Sequence, residues 1–322
     1  MIKKIAFLCL FTLLSLTSTA ATWTPPGNIK IVVAYPPGGS TDKWARVVSK
    51  ILADHGWTNY VENKPGGETV IASNYVAQSK PDGTTLQLGT FGFLDANLAS
   101  KTPPEGIEYT EHSFTDIVPL GSGSLVLAVA NNVPVSNYQE FKEYVRKNPN
   151  EFNLGFFSQR IGEAFKLWAH KEGLPQPKIV LYKGSTPLDA DLAGGHVQFA
   201  FDTYNTIAPL QQSGKVKVIA VLDNSGYDLV KKANPNITLY NIAKSHPDLA
   251  IPIFYGVFAP AGLPKEAVAE INTVINLGLK DPKYTAEMTN LYITVKGGTP
   301  TDLTKSHQEL YKLFKNVSLE SE

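Results

Sequence analysis

Residues 31–52 constrain the fold more than any other stretch. The apolar run Ile31-Val32-Val33 leads into Ala34-Tyr35-Pro36-Pro37-Gly38-Gly39-Ser40-Thr41-Asp42, and from about Thr41 onward apolar residues recur at helical spacing. Trp44, Val47, Val48, Ile51 and Leu52 form one buried stripe, leaving Lys43, Arg46 and Lys50 outside, and Gly56 supplies the stop. Two glycines ahead of the first helical turn let backbone N–H groups approach a ligand, and the start of the helix offers unpaired donors with a partial positive charge. Such a turn can hold a carboxylate with no cationic side chain. The same residues also describe an ordinary strand-to-helix turn capped by Ser40 or Asp42.

Strand and helix signals alternate along the rest of the chain, the pattern of an α/β protein with mostly parallel sheets. Strands are expected at Tyr60 to Glu62, Leu86 to Leu88, Leu125 to Val129, Asn153 to Phe156, Ile179 to Tyr182, Val216 to Leu222 and Phe254 to Ala259. Helices are expected at Thr69 to Ser79, from a capping box of Ser136 with Gln139, from about Gly162 to Lys171, and at Lys265 to Lys280. Thr299-Pro300-Thr301-Asp302 starts the last helix. Val197, Phe199 and Phe201 alternate with polar or small residues, which puts Asp202 at the carboxyl end of a strand, where ligands sit in open α/β sheets.

The first residues carry Lys3 and Lys4, an apolar run from Ile5 to Leu16, and Ser18-Thr19-Ala20 before Ala21, so residues 1–20 read as a secretory signal peptide. Cys9 is the only cysteine and lies within that segment, so the mature chain is expected to hold no disulfide, thiolate metal site or cysteine nucleophile. Removing Lys3 and Lys4 takes 29 basic residues to 27 against 29 acidic ones. A near-neutral chain argues against nucleic acid or anionic membrane as a bulk partner.

The six histidines are dispersed, with no pair at metal-ligand spacing, and no G-x-S-x-G, Walker A or G-x-G-x-x-G motif occurs. No metal and no cofactor is expected. Ser158, Gln159 and Arg160 offer hydroxyl, amide and guanidinium donors on one expected loop, making Arg160 a candidate to grip a carboxylate. Asp202 can accept from a ligand or cap the segment after it. Phe91 and Phe93 can wall a ligand or pack in the core. Asp42 poses a sign problem beside an anion: it must turn away, cap helix donors or act through water.

Taken in order, several motifs resemble those of the Bug-type extracytoplasmic solute receptors of tripartite tricarboxylate transporters. They are Ile31 to Asp42, Val61-Glu62-Asn63-Lys64-Pro65-Gly66-Gly67, Pro81-Asp82-Gly83-Thr84-Thr85-Leu86, Tyr182-Lys183-Gly184-Ser185-Thr186-Pro187, Gly194 to Asp202, and Phe258-Ala259-Pro260-Ala261-Gly262-Leu263-Pro264. The resemblance implies a two-domain periplasmic binding protein of the Venus-flytrap kind, each domain a mostly parallel sheet flanked by helices. It implies one domain from residues 21–122 plus 256–322 and another from 123–255, with crossovers near Gly121 to Leu125 and Phe254 to Phe258. It also implies a monomer that passes its ligand to integral membrane transporter subunits.

By the same resemblance a ligand carboxylate is held between two loops, here Tyr35 to Asp42 (Tyr35, Pro37, Gly38, Gly39, Ser40, Thr41, Asp42) and Phe156 to Gly162 (Phe157, Ser158, Gln159, Arg160), with Phe91 and Asp202 beside them. The second loop departs from the family's Gly/Ser-rich pattern, and the loop after Asn63 is shortened, with Gly66-Gly67-Glu68 in place of a longer glycine run. Two rival readings remain at this point. One is an exported α/β hydrolase or isomerase using Ser158 or Asp202 with His196; the other is a sensor that presents the same carboxylate to a signalling receptor.

Overall fold

The computed structural model describes residues 23–90, 97–100, 103–149, 152–251 and 253–320. The expected signal peptide and Phe91 with Phe93 lie outside these residues. In chain order the elements are β1 (Ile29–Val33), α1 (Ser40–Asp54), β2 (Asn59–Asn63), α2 (Val70–Ala77), β3 (Thr85–Gly89), β4 (Phe114–Gly123) and β5 (Leu125–Ala130). Then come α3 (Tyr138–Lys147), β6 (Asn153–Phe156), α4 (Gln159–Lys171), β7 (Lys178–Leu181), α5 (Ser185–Gly194), β8 (Phe199–Thr203), α6 (Tyr204–Gln212), β9 (Val216–Val221) and α7 (Asn224–Ala233). The chain ends with β10 (Tyr240–Asn241), α8 (Ile242–Ser245), β11 (Ile253–Pro260), α9 (Lys265–Lys280), α10 (Pro282–Asn290), β12 (Thr294–Val295) and α11 (Pro300–Glu320).

Two six-stranded sheets organise these elements, in the orders β12-β4-β11-β3-β1-β2 and β10-β9-β5-β8-β6-β7. Each sheet with its helices is called a lobe below. The chain passes from the first sheet to the second between Gly123 and Leu125, and β11 brings it back. That return decides the pairing. Because β11 re-enters the first sheet, it runs antiparallel to both β3 and β4, and β5 likewise runs antiparallel to β8 and β9. Both sheets are therefore mixed, with parallel pairs confined to β1–β2, β1–β3, β6–β7, β6–β8 and β9–β10.

Local expectations hold where one helix face or strand decides them. In α1, Trp44, Val47, Val48, Ile51 and Leu52 are all buried, and Gly56 at φ 89° follows its end. Two boundaries differ from the sequence reading. Ser158 caps α4 by accepting from the Arg160 N–H at 3.2 Å, so the helix starts at Gln159 and not near Gly162. Arg160 is thus helical, not on a loop. Asn137, not Ser136, caps α3, accepting from the N–H groups of Gln139 and Glu140, while Glu140 reaches back to the Ser136 N–H at 2.7 Å. Asp202 falls, as expected, at the carboxyl end of a strand, next to last in β8, whose residues are all buried.

Strand β4 is not among the strands expected from the sequence, and it contains Pro119. The structure accommodates Pro119 at an irregularity in the β4–β11 register, where a missing N–H disrupts no regular ladder. Gly121 matters for a different reason: a Cβ there would lie 2.0 Å from the Thr294 carbonyl oxygen and 3.0 Å from the Trp44 ring. Neither atom can rotate away. Gly121→Ala is expected to cost at least about 2 kcal/mol through overpacking, read as a lower urea midpoint at unchanged slope.

Candidate functional site

Three helices begin at the junction of the lobes without a side chain capping them. Gly39 precedes α1, Gly184 precedes α5 and Thr203 precedes α6, and none of the three contributes a side-chain cap. The first residues of α1 and α5, with Thr203 just before α6, line one cavity of about 20 Å³, room for a single water-sized group, while the first N–H of α6, that of Tyr204, is taken by the Ser124 carbonyl at 2.8 Å. The first lobe supplies Tyr35, Gly39, Ser40, Thr41 and Thr90 to its wall, the second Phe157, Ser185 and Thr203, and β11 supplies Ile253 and Tyr255. No charged side chain is among the described lining residues. The starts of α1 and α5 direct the positive ends of their helix dipoles to this point.

Hydroxyl groups knit the lobes together around this point. Ser40 Oγ lies 2.6 Å from Thr203 Oγ1 and donates to Asn205 Oδ1 at 2.6 Å. Lys43 Nζ donates to the Asn205 carbonyl at 3.2 Å, and Thr186 Oγ1 donates to the Pro37 carbonyl at 2.9 Å. Each such bond contributes about 0.5–1.5 kcal/mol to holding the lobes in contact. Gly184 permits the approach, since a Cβ there would lie 2.7 Å from Pro36 Cδ. Tyr255 is fully buried in the cavity wall; its hydroxyl lies near Ser40 but makes no well-formed hydrogen bond among the described residues.

The acidic residues nearby are turned aside. Asp42 accepts from the Gly38 N–H at 3.0 Å, from Arg46 Nε at 2.9 Å and Nη2 at 3.1 Å, and from Asn63 Nδ2 at 3.0 Å. Burial pushes its pKa up, but Arg46, the Gly38 N–H and Asn63 outweigh that and hold it below the usual range. Asp42 thus braces the turn, with Gly38 at φ 92° supplying the N–H. Asp202, fully buried, accepts from Ser185 Oγ at 2.7 Å and from the Thr203 N–H at 2.5 Å, so it positions two residues of the cavity wall from behind.

Of the sequence-predicted candidates, Tyr35, Gly39, Ser40, Thr41 and Phe157 meet on the cavity, whereas Pro37, Gly38, Asp42, Ser158, Gln159, Arg160 and Asp202 stand outside its wall. Arg160 is buried and its guanidinium pairs with Glu163, one turn along α4. Its early place in the helix turns it into the lobe instead of across the cleft. Sequence reasoning missed Thr90, Ser185, Thr203, Ile253 and Tyr255 as lining residues. A signal for Ser185 existed: Gly184-Ser185-Thr186 repeats Gly39-Ser40-Thr41, each opening a helix.

Two α/β lobes meeting on a small hydroxyl-lined cavity define the fold class of the periplasmic binding proteins. Residues 44–318 match the model described as the tripartite tricarboxylate transporter family receptor, and the chain belongs to that family. It is 32% identical over 268 residues to a UPF0065 protein of Bordetella bronchiseptica, covering 82% of this chain and 76% of that protein. Protein BugT of Bordetella pertussis is 29% identical over 264 residues, covering 80% of this chain and 77% of BugT. A solved structure, R. palustris Rpa4515 with adipate, superposes with a TM-score of 0.82 at 26% identity, covering 92% of this chain and 98% of that one.

Asp189 of α5 lies beside Asp202, and burial raises the pKa of both. The Asp202 charge raises Asp189 further, while Ser185 and Thr203 favour ionised Asp202, so the shared proton resides on Asp189. A carboxyl that resists ionisation when folded supports the fold fully below its unfolded value of roughly 4 and loses that support as pH rises through the folded value. Asp189→Asn keeps a neutral donor toward Asp202 and removes the titration. Its stability relative to the parent is expected to increase steadily from about pH 4 to pH 8. Urea unfolding across that range that gave parallel profiles would show that the pair does not titrate.

Proposed function

We propose that this chain is an exported receptor that captures a small organic carboxylate between its lobes and delivers it, chemically unchanged, to integral membrane transporter subunits. The observation that carries this reading is the meeting of two uncapped helix starts, those of α1 and α5, with Thr203 at one cavity lined by hydroxyl groups. A carboxylate at that point accepts from main-chain N–H groups and from neutral side chains, with no buried counter-charge to desolvate when the lobes part. Membership of a transporter-receptor family, and adipate in the related R. palustris protein, support both the ligand class and the delivery step.

In this reading residues 1–20 direct export, residues 21–122 with 256–322 and residues 123–255 move as two domains, and the closed cavity widens as they hinge apart. The carboxylate rests against Gly39, Ser40 and Thr41, faced by Ser185 and Thr203, with Tyr35 and Phe157 above it. Asp42 and Asp202 shape the two walls without touching the ligand. Catalysis has no part in it: Ser158 is spent as a helix cap, and Asp202 is committed to Ser185 and Thr203.

The decisive comparison is Ser40→Ala with Ser40→Pro. Proline is tolerated at the first helical position, where it deletes the N–H, fixes φ and adds ring carbons, so with thermal melting checking that both variants keep the fold the difference between them reports chiefly on one main-chain donor. Isothermal titration with the carboxylate identified by mass spectrometry of the purified protein is expected to show the proline variant binding roughly 10- to 150-fold more weakly than the alanine variant. Equal affinities, or a released ligand with no acidic group, would overturn the reading. At about one hundred times its dissociation constant the ligand should stabilise the parent by roughly 2.7 kcal/mol, seen as a thermal shift.

A further inference from the structure

Outside the small cavity the cleft opens into a groove of about 410 Å³. Tyr35 and Phe157 belong to both walls, their rings edge to face with centroids 6.3 Å apart, so they stand between the inner cavity and the groove. A ligand whose carboxylate enters the cavity must lay its remaining atoms past this pair. The groove there is walled by apolar surface, including Leu181 and part of Tyr182. Its charged lining residues are Glu68, Glu105 and Lys183, two anions to one cation among the described residues.

Glu68 is not a bystander in this wall. It belongs to the first lobe, yet its Oε2 accepts from the backbone N–H of Gln159 in the second lobe at 2.8 Å. Gln159 is the first residue of α4, so the Glu68 carboxylate sits at a helix N-terminus across the cleft. In the amide orientation that satisfies both neighbours, Gln159 Nε2 also donates to Glu68 Oε1 at 3.1 Å while its oxygen accepts from Arg160 Nη2 at 3.2 Å. Both carboxylate oxygens are then engaged. The backbone is shaped for this placement: Gly66, Gly67, Glu68 and Thr69 all have positive φ (126°, 56°, 50° and 79°), and Asn97 Nδ2 holds the Glu68 carbonyl at 2.7 Å. Two successive non-glycine residues in the left-handed region persist only where the surroundings over-determine them.

We propose that Glu68 takes, from within the chain, the place that a second acidic group of the ligand would occupy, and that the receptor therefore selects monocarboxylates with an apolar body over dicarboxylates. The inference rests on the reading of the inner cavity as a carboxylate site. A dicarboxylate long enough to reach the groove sets its second anion among Glu68, Glu105 and Lys183, a lining with more negative than positive charge, and beside Glu68 it must either displace that side chain from α4 or remain close to a like charge. A monocarboxylate of the same length meets apolar wall and no such conflict. Selectivity here comes from a repulsive element as much as from an attractive one.

The test is titration calorimetry on the parent, Glu68→Gln and Glu68→Ala with two matched pairs: hexanoate against adipate, and benzoate against isophthalate. In the parent, the monocarboxylate of at least one pair is expected to bind at least about tenfold more tightly than its partner. In Glu68→Gln that ratio should fall to near one through a gain in dicarboxylate affinity, with monocarboxylate binding little changed. Glu68→Ala, checked by thermal melting for an intact fold, should behave likewise. Dicarboxylates appearing as ligands only in the variants would support the same conclusion. A parent that binds adipate or isophthalate as tightly as its partner, or a ratio untouched by both substitutions, overturns the role of Glu68 and leaves the carboxylate site standing. Binding of no probe by parent or variants removes both the inference and the carboxylate reading beneath it.

Discussion

Everything at the centre of this molecule turns on how the first turn of α1 meets the second lobe. Helix starts carry donors that no intrahelical acceptor can satisfy, and a buried donor left alone costs about 1–3 kcal/mol. Most helices resolve this with a side-chain cap. Here Gly39 offers none, and Ser40 directs its hydroxyl away from its own helix to Thr203 and Asn205. The start of α5, also without a side-chain cap, meets that turn at the cavity, whereas the first N–H of α6 is taken by the Ser124 carbonyl.

Such a site works only if nearby negative charge is dealt with, and each carboxylate is handled differently. Asp42 is drawn back by Arg46 and Asn63 and holds the Gly38 N–H, so its charge is spent on the turn itself. Asp202 lies behind the wall, charged but bonded to Ser185 and Thr203, and Asp189 beside it keeps its proton. Glu68 is anchored on the start of α4. The result is a small positive pole surrounded by compensated acids. Cationic side chains are near as well, but Arg46 and Arg160 answer to Asp42 and Glu163 and do not face the cavity.

In the reading proposed above, neutral donors suit a receptor that must release its ligand. A buried guanidinium facing a carboxylate would leave an unpaired charge whenever the ligand departed, at a cost of several kcal/mol. N–H groups and hydroxyls lose less, because water replaces the ligand on each of them as the lobes separate. Around the cavity the bonds that join the lobes are neutral, Ser40 to Thr203 and Asn205 and Thr186 to the Pro37 carbonyl, while the charged ones, from Lys43 and to Glu68, lie outside its wall.

The sequence by itself determined α1 with its buried stripe and the Gly-Gly turn before it, because each rests on spacing within a short window that no distant contact can override, and it determined the α/β class and the family through the order of elements and motifs along the whole chain. It also held a second copy of the Gly-Ser-Thr helix start at residues 184–186, legible once the first was understood. Only the tertiary structure decided that β11 and β5 run antiparallel to their neighbours, since period-two alternation is the same in either direction. It alone brought Tyr255 from β11 to the side of Ser40, set Glu68 against Gln159 across the cleft, and turned Arg160 inward to Glu163. These outcomes depend on where two lobes far apart in sequence come to face each other, and neither local propensity nor hydrophobic period carries that information.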